Sequence, residues 1–319
     1  MIFHFGSPLK TRLKADLLLF GVALIWGAAF IAQGIAAAAR LAFLFNGASF
    51  LLAALVLLPF MPRTPGRRSA FAASLPLRRP KGMALWIVAA GTILFAATAL
   101  QQVGLLNARI ADAGFLTSLY AVITPFLLWL GFRERPKVLD LVAVLLAVCG
   151  AWFLASPGSS AAGARVALDP RSLILGDGLE IIGAFFWALH FVVLGKFAIR
   201  FEPLRFACGQ FLVTGILNLV VGLFVEPVAS LAAPALVGAI VFRATLSIGL
   251  GYTLQVWGQR HTPPTDAALI LGLEAVFAAL AAWLILGQGL AIWQLAGCAL
   301  IFASVLLAQA KQFEKRKPA

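Results

Sequence analysis

The sequence predicts an all-α membrane protein: ten transmembrane helices in two inverted five-helix repeats. Three observations carry that prediction. The 319 residues are 62% hydrophobic and only 12% charged, where soluble domains carry about 25% charged residues. Apolar runs long enough to cross a bilayer recur ten times. One stretch is also written twice: LQQVGLLNARIADAGFLTSLYAVITPFLLWL from Leu100 to Leu130, and LQVWGQRHTPPTDAALILGLEAVFAALAAWL from Leu254 to Leu284. Repeats take precedence because they fix the architecture.

The mean hydropathy of +0.99 agrees with the composition. A net charge of +13 raises a nucleic-acid partner, but Lys and Arg sit in short clusters between apolar runs, with no basic, aromatic-interleaved helix face. Cys149, Cys208 and Cys298 lie inside apolar runs. They suit neither a disulfide framework nor a metal site.

An apolar stretch of about 20 residues crosses the hydrocarbon core as a helix, since the backbone must satisfy its own hydrogen bonds there. By that ruler the first five spans lie near Asp16–Gly34, Leu41–Phe60, Gly82–Leu106, Ala111–Phe132 and Val138–Ala155. The second five lie near Gly176–Lys196, Pro203–Phe224, Pro234–Trp257, Thr265–Leu286 and Ala291–Gln309. Arg243 interrupts the eighth span and makes it the weakest. The first span, preceded by Lys10, Arg12 and Lys14, has a signal-peptide pattern. Its 23 uncharged residues from Leu17 to Ala39 exceed the usual h-region, and it reads as a retained helix.

Lys and Arg placement sets orientation. With the N terminus in the cytoplasm, cytoplasmic segments hold 20 of the 25 Lys and Arg residues. Both termini are then expected inside, and the loop 156–175 outside.

A shift of 154 pairs Gln101 with Gln255, Gly104 with Gly258, Asp112 with Asp266 and Trp129 with Trp283. A shift of 161 pairs Asp16 with Asp177, Trp26 with Trp187 and Phe50 with Phe211. The repeats therefore run 16–155 and 176–309, joined by a linker 156–175 and followed by a basic tail 310–319. An odd number of spans per repeat turns one half upside down. That is the plan of secondary transporters, whose site lies near the midplane.

The chain resembles the EamA-type members of the drug/metabolite transporter superfamily. The resemblance rests on IWGAAF near Trp26, DAGFLTSLYAVITPFL from Asp112, FRERP from Phe132, FWALHFVVLGK, YTLQVWGQ and TDAALILGLEAVFAALAAWLILG. It implies a ten-helix alternating-access carrier that usually exports small metabolites or amino acids. The third, fourth, eighth and ninth helices would line the cavity, with the first and sixth gating beside it. Family sequences commonly carry Arg where this chain has Ser49, Pro where it has Ala275 and Glu where it has Gln288. The first copy keeps an acid at the position matching Gln288, Glu134.

Polar residues inside the spans mark the candidate site, because ionisable groups are costly in a bilayer and default to function. Glu274 is the leading candidate, for an ammonium group or a proton. Its repeat mate is Tyr120. Gln101 and Gln255 are mates whose amides donate and accept, with Tyr252 placed on the Gln255 face by its three-residue spacing. Trp26 and Trp187 are candidates to stack on substrate. His190 is a second candidate for proton coupling, against a packing role. Glu180, near an outer helix end, reads as a solvated acid. Asp16, Asp112, Asp177 and Asp266 read as helix caps. Arg243 suits either an anionic substrate or snorkelling.

The expectation is a probable-exporter secondary transporter of the bacterial inner (cytoplasmic) membrane. A small-molecule substrate and the lipid bilayer are its partners, protons are the candidate coupling ion, and no metal, cofactor or nucleic acid is expected. Two other classes compete. An intramembrane enzyme would need clustered acids, histidines or cysteines, yet the chain holds only His4, His190 and His261. A non-transporting interaction subunit would tolerate polar substitutions in the cavity.

Overall fold

The structure, a computed structural model, describes residues 9–61, 82–107, 110–156, 170–287 and 289–314. The arginine- and lysine-bearing loop 62–81, most of the linker, Arg109, Gln288 and the end of the basic tail lie outside the described residues. So does the side chain of Asp112.

Ten transmembrane elements follow one another. They are α1 (Leu9–Ala38), α2 (Phe43–Leu57, continued by a 3₁₀ turn to Phe60), α3 (Met83–Leu105), α4 (Ile110–Ser118 and Tyr120–Phe132) and α5 (Val138–Ala155). The second five are α6 (Pro170–Lys196), α7 (Pro203–Val225), α8 (Pro234–Gly258), α9 (Pro264–Leu271 and Glu274–Leu286) and α10 (Ile292–Glu314). Among the described residues nine are long and apolar enough to cross a membrane, and Val138–Leu154 is a shorter apolar helix. This is a multi-pass membrane protein.

Helix starts correct two expectations. α1 begins at Leu9 and α6 at Pro170, so Asp16 and Asp177 each lie seven residues inside and cap nothing. Arg12 supplies the reason at α1: it holds Asp16 from four residues away, so the helix carries an internal ion pair instead of a capped end. True caps lie elsewhere. Glu202 accepts from the amides of Leu204 and Arg205 to start α7. Glu226, just past the far end of α7, accepts from the amides of Ala42, Phe43 and Leu44 at 2.7–2.9 Å. It thereby satisfies the free N–H groups that open α2.

Helix pairing follows the inverted repeat. α5 packs against α10 and α2 against α7, each with its own repeat equivalent. α3 packs on α6 and α7, while α8 packs on α1 and α2; α4 packs on α6, while α9 packs on α1. Exchanging the halves returns the first two contacts to themselves and converts each of the others named here into its observed counterpart, as a two-fold axis demands. Small residues permit the approach. A Cβ on Gly150 of α5 would meet the Gly297 carbonyl of α10 at 2.6 Å.

Three elements depart from regular α-helix, all beside the axis. α4 tightens at Leu119, whose amide bonds the Leu116 carbonyl, and α9 tightens at Leu273, whose amide bonds the Ile270 carbonyl, both at 3.2 Å. Leu119 and Leu273 are repeat equivalents with matching dihedrals, φ −59°, ψ −16° and φ −60°, ψ −14°. The third departure is in α8, which winds as a π-helix from Arg243 to Tyr252. Interrupted helices of these kinds concentrate at functional sites and hinges.

Candidate functional site

The tightened turns at Leu119 and Leu273 place Tyr120 and Glu274 first in the following helical segments. There they meet: Tyr120 Oη donates to Glu274 Oε1 at 3.0 Å. Two further pairs of repeat mates touch across the same axis, with ring centroids 6.4 Å apart for Trp26 and Trp187 and 5.9 Å for Phe50 and Phe211.

A narrow cavity lies at this axis, with about 30 Å³ of room for the centres of water-sized molecules. Its wall comes from α1, α3, α4, α6, α8 and α9. Of the residues singled out from sequence, Glu274, Gln101, Tyr120, Tyr252, Trp26 and Trp187 line it. Gln255 and His190 do not. Gln255 is fully buried, and neither amide atom has a hydrogen-bond partner among the described residues. A three-residue step leaves Gln255 about 60° around the helix from Tyr252, and it does not line the cavity. His190 packs edge-on against Trp187 and Tyr252, and its Nε2 is 3.0 Å from Gln210 Oε1.

Tyr252 is the hub of the aromatic wall. Its ring lies 4.7 Å from that of Trp26 and 6.1 Å, nearly parallel, from that of Trp187. Trp26 is fixed by a bond from its Nε1 to the Ser247 carbonyl at 2.9 Å. Gly251 leaves room for it, since a Cβ there would meet that nitrogen at 2.7 Å. Trp187 Nε1 has no protein partner among the described residues.

Arg243 supplies the positive charge. It is 4% exposed, donates to Asn46 Oδ1 and lies over the rings of Phe45 and Phe50 at 4.9 and 5.6 Å. Burial in the cavity wall overturns the snorkelling alternative. Glu180 is likewise no solvated acid. It is fully buried and accepts from Thr117 Oγ1 at 2.9 Å, because α3 and α4 both close over α6 at that level. Thr117 and Gln33 also line the cavity without having been singled out. For Thr117 the signal was available, since it precedes Tyr120 by three residues on one helix.

Where α1 and α9 begin, a second polar cluster closes the axis. Arg12 Nε lies 2.8 Å from Asp16 and its Nη2 donates to Asp266 at 2.9 Å. Thr262 Oγ1 donates to Asp16 at 2.7 Å. Among the described residues no group of three or more His, Cys, Asp or Glu is placed to hold a metal ion.

A family model described as the EamA-like transporter family matches residues 13–156 and 174–309. The chain belongs to that family. An uncharacterized transporter of Archaeoglobus fulgidus is 29% identical over 302 residues, covering 95% of this chain and 88% of that protein. An uncharacterized transporter of Methanothermobacter thermautotrophicus is 27% identical over 197 residues, covering 60% of this chain and 54% of the relative. A crystal structure at 18% identity superposes with a TM-score of 0.72, covering 96% of this chain and all of that one. At that identity the likeness shows the fold alone. As an EamA-like family member, the chain is a membrane transporter with a small-molecule substrate.

Proposed function

We propose that the protein is a secondary carrier that exports small metabolites or amino acids across the cytoplasmic membrane by alternating access, with both termini in the cytoplasm. One observation carries the reading: a cavity on the two-fold axis, walled by both repeats and by both interrupted helices. A carrier works by rocking one repeat against the other around a fixed midplane site, and contacts between repeat mates, which map onto themselves when the halves exchange, suit the pivot of such rocking.

The chemistry of the wall supports the substrate class. Arg243 offers a cation to a carboxylate, Glu274 offers an anion to an ammonium, and Trp26, Trp187 and Tyr252 offer ring faces. A small solute carrying both charges and an apolar part fits this wall. The Arg12–Asp16–Asp266 cluster supports a conformation closed where α1 and α9 begin, the cytoplasmic side by the distribution of Lys and Arg. The cavity then faces outward.

The test is a thermal-shift screen of the purified protein against amino acids, polyamines, nucleobases and small acids, since a ligand of the folded state raises stability by mass action. Any stabilising compound is then followed into proteoliposomes, where counterflow is expected. A stabiliser that Glu274→Ala and Arg243→Gln leave fully effective, or that never crosses the membrane, overturns the reading.

A further inference from the structure

Glu180 is a second acid buried at membrane depth, and substrate binding in the cavity leaves it without a role. Its side chain is fully buried on α6. Oε2 accepts from Thr117 Oγ1 at 2.9 Å, and Oε1 has no hydrogen-bond partner among the described residues. No cation among them bonds to it. α3 presents Gly104, where a Cβ would meet Oε1 at 2.8 Å, and the amide Gln101, whose Nε2 lies 3.5 Å from Thr117 Oγ1. α4 presents Thr117. On α6 the nearest ionisable group is Asp177, three residues earlier, which has contacts of its own. The first segment of α9, also packed on α6, carries Asp266, and that is held by Arg12.

A bare carboxylate with no counter-ion and one hydrogen bond is too costly to hold inside a membrane protein, whereas the neutral acid is tolerated. Thr117 and Gln101 also line the cavity while Glu180 stands directly behind them. Thr117 thus stands between the acid and the cavity.

We propose that Glu180 is a second proton-binding site of the carrier, loaded from the cavity through Thr117. The hydroxyl oxygen accepts a proton from a hydronium ion in the cavity and passes its own proton to Glu180 Oε2. An O–H bond of the hydronium breaks as one forms at the hydroxyl oxygen, whose own O–H bond breaks as one forms at Oε2; water is left in the cavity, and the carboxyl ends neutral. Unloading runs the same steps backwards. The two acids are asymmetric in the repeat: Glu180 is matched by Leu19 and Glu274 by Tyr120. Both donors to them, Thr117 and Tyr120, stand three residues apart on α4. A movement of α4 against α6 and α9 therefore releases both acids together, which ties protonation to the rocking step.

The role in coupling rests on the carrier reading; the proton site itself is tested without transport. Infrared spectra of the full chain in lipid nanodiscs are recorded over a pH series in H₂O and D₂O, with the proton as the only probe. Near neutral pH a protonated-carboxyl band is expected that Glu180→Gln removes and Glu274→Gln leaves. Its hydrogen–deuterium exchange is expected to slow in Thr117→Val and to recover in Thr117→Ser. Should Glu180→Gln fold poorly, Glu180→Leu, which copies the residue of the other repeat, must remove the same band. A neutral-pH spectrum unchanged by either Glu180 variant shows an ionised or ordinary acid and overturns the proposal. Unchanged exchange in Thr117→Val overturns the route. Absence of counterflow alongside an intact Glu180 band would sink the carrier reading and spare the site.

Discussion

Tyr120 and Glu274 stand 154 residues apart, the offset of the repeat itself, and are joined by a 3.0 Å hydrogen bond. Equivalent positions touch only where the symmetry axis passes between them. The pair therefore marks the centre of the molecule, and its chemistry is one-sided, a donor from one half and an acceptor from the other. Tyr120→Phe strands a buried oxygen, and a loss of about 1–3 kcal/mol is expected, read as a lower unfolding temperature in detergent. Glu274→Gln keeps an acceptor for Tyr120, so stability should hold while the pH dependence of flux flattens. Transport by Glu274→Gln with an unchanged pH profile would remove Glu274 from any coupling role.

Arg12 bridges Asp16 and Asp266. Its side chain and both carboxylates are at most 11% exposed, so removing the cation takes from two buried negative charges the positive charge they share. Arg12→Leu should cost about 3–5 kcal/mol, the range for breaking a buried ion pair by deleting one partner. Adding Asp266→Asn should recover part of that loss, because the second charge goes with it. A thermal unfolding series on the two single variants and the double variant checks this. Additive effects would show that the three groups do not act as one cluster.

The fold was legible because its signals are long and redundant. Span length is fixed by the bilayer, so ten helices follow from the apolar runs; Asp, Gln and Trp recur in register, so the repeat follows too, and five spans in each half give the inversion. The site was legible where a polar residue stood alone in an apolar run, as at Glu274, Gln101 and Tyr252. It failed where helical spacing is only an approximate guide to a shared face or where partners lie far apart in sequence. Gln255 was placed beside Tyr252 by a three-residue spacing that leaves the two about 60° apart around the helix. Glu180 looked near water because its depth was measured along its own helix, without Thr117 and Gly104 closing over it. Asp16 looked like a cap because the apolar run was taken to open the helix there, whereas α1 begins at Leu9 and Arg12 holds Asp16 from one turn away.

Gly150 and Gly297 press against each other reciprocally. A Cβ on the first would meet the carbonyl of the second at 2.6 Å, and the reverse contact is 2.5 Å. Both obstacles are backbone, so neither can swing aside. Gly150→Val and Gly297→Val should each cost about 1–3 kcal/mol by overpacking. The double variant should cost less than the sum, since the first separation makes room for the second side chain. The α5–α10 seam lies off the cavity, so a ligand's affinity should survive in whatever fraction stays folded. A matched loss of affinity at saturating folded protein would show that the seam moves during binding.

His261, in the connection between α8 and α9, provides a pH signature outside the spans. Partial burial lowers its pKa from 6.5, and the neighbouring Arg260 adds to the shift. The sign follows directly: a histidine whose folded pKa is depressed takes up its proton more readily when unfolded. Its neutral form therefore supports the fold fully above about pH 6.5. That support is lost as pH falls below this value and levels off under the folded pKa. His261→Gln removes the proton site, so the stability difference between parent and variant should be flat above pH 6.5 and shift against the parent as the buffer is acidified. Arg260→Gln should narrow the window, because the part of the depression due to the guanidinium goes with it. Unfolding temperatures of the three proteins across the acid range measure both effects. A parent that gains on the His261→Gln variant at low pH would mean that His261 binds its proton more tightly in the fold than out of it.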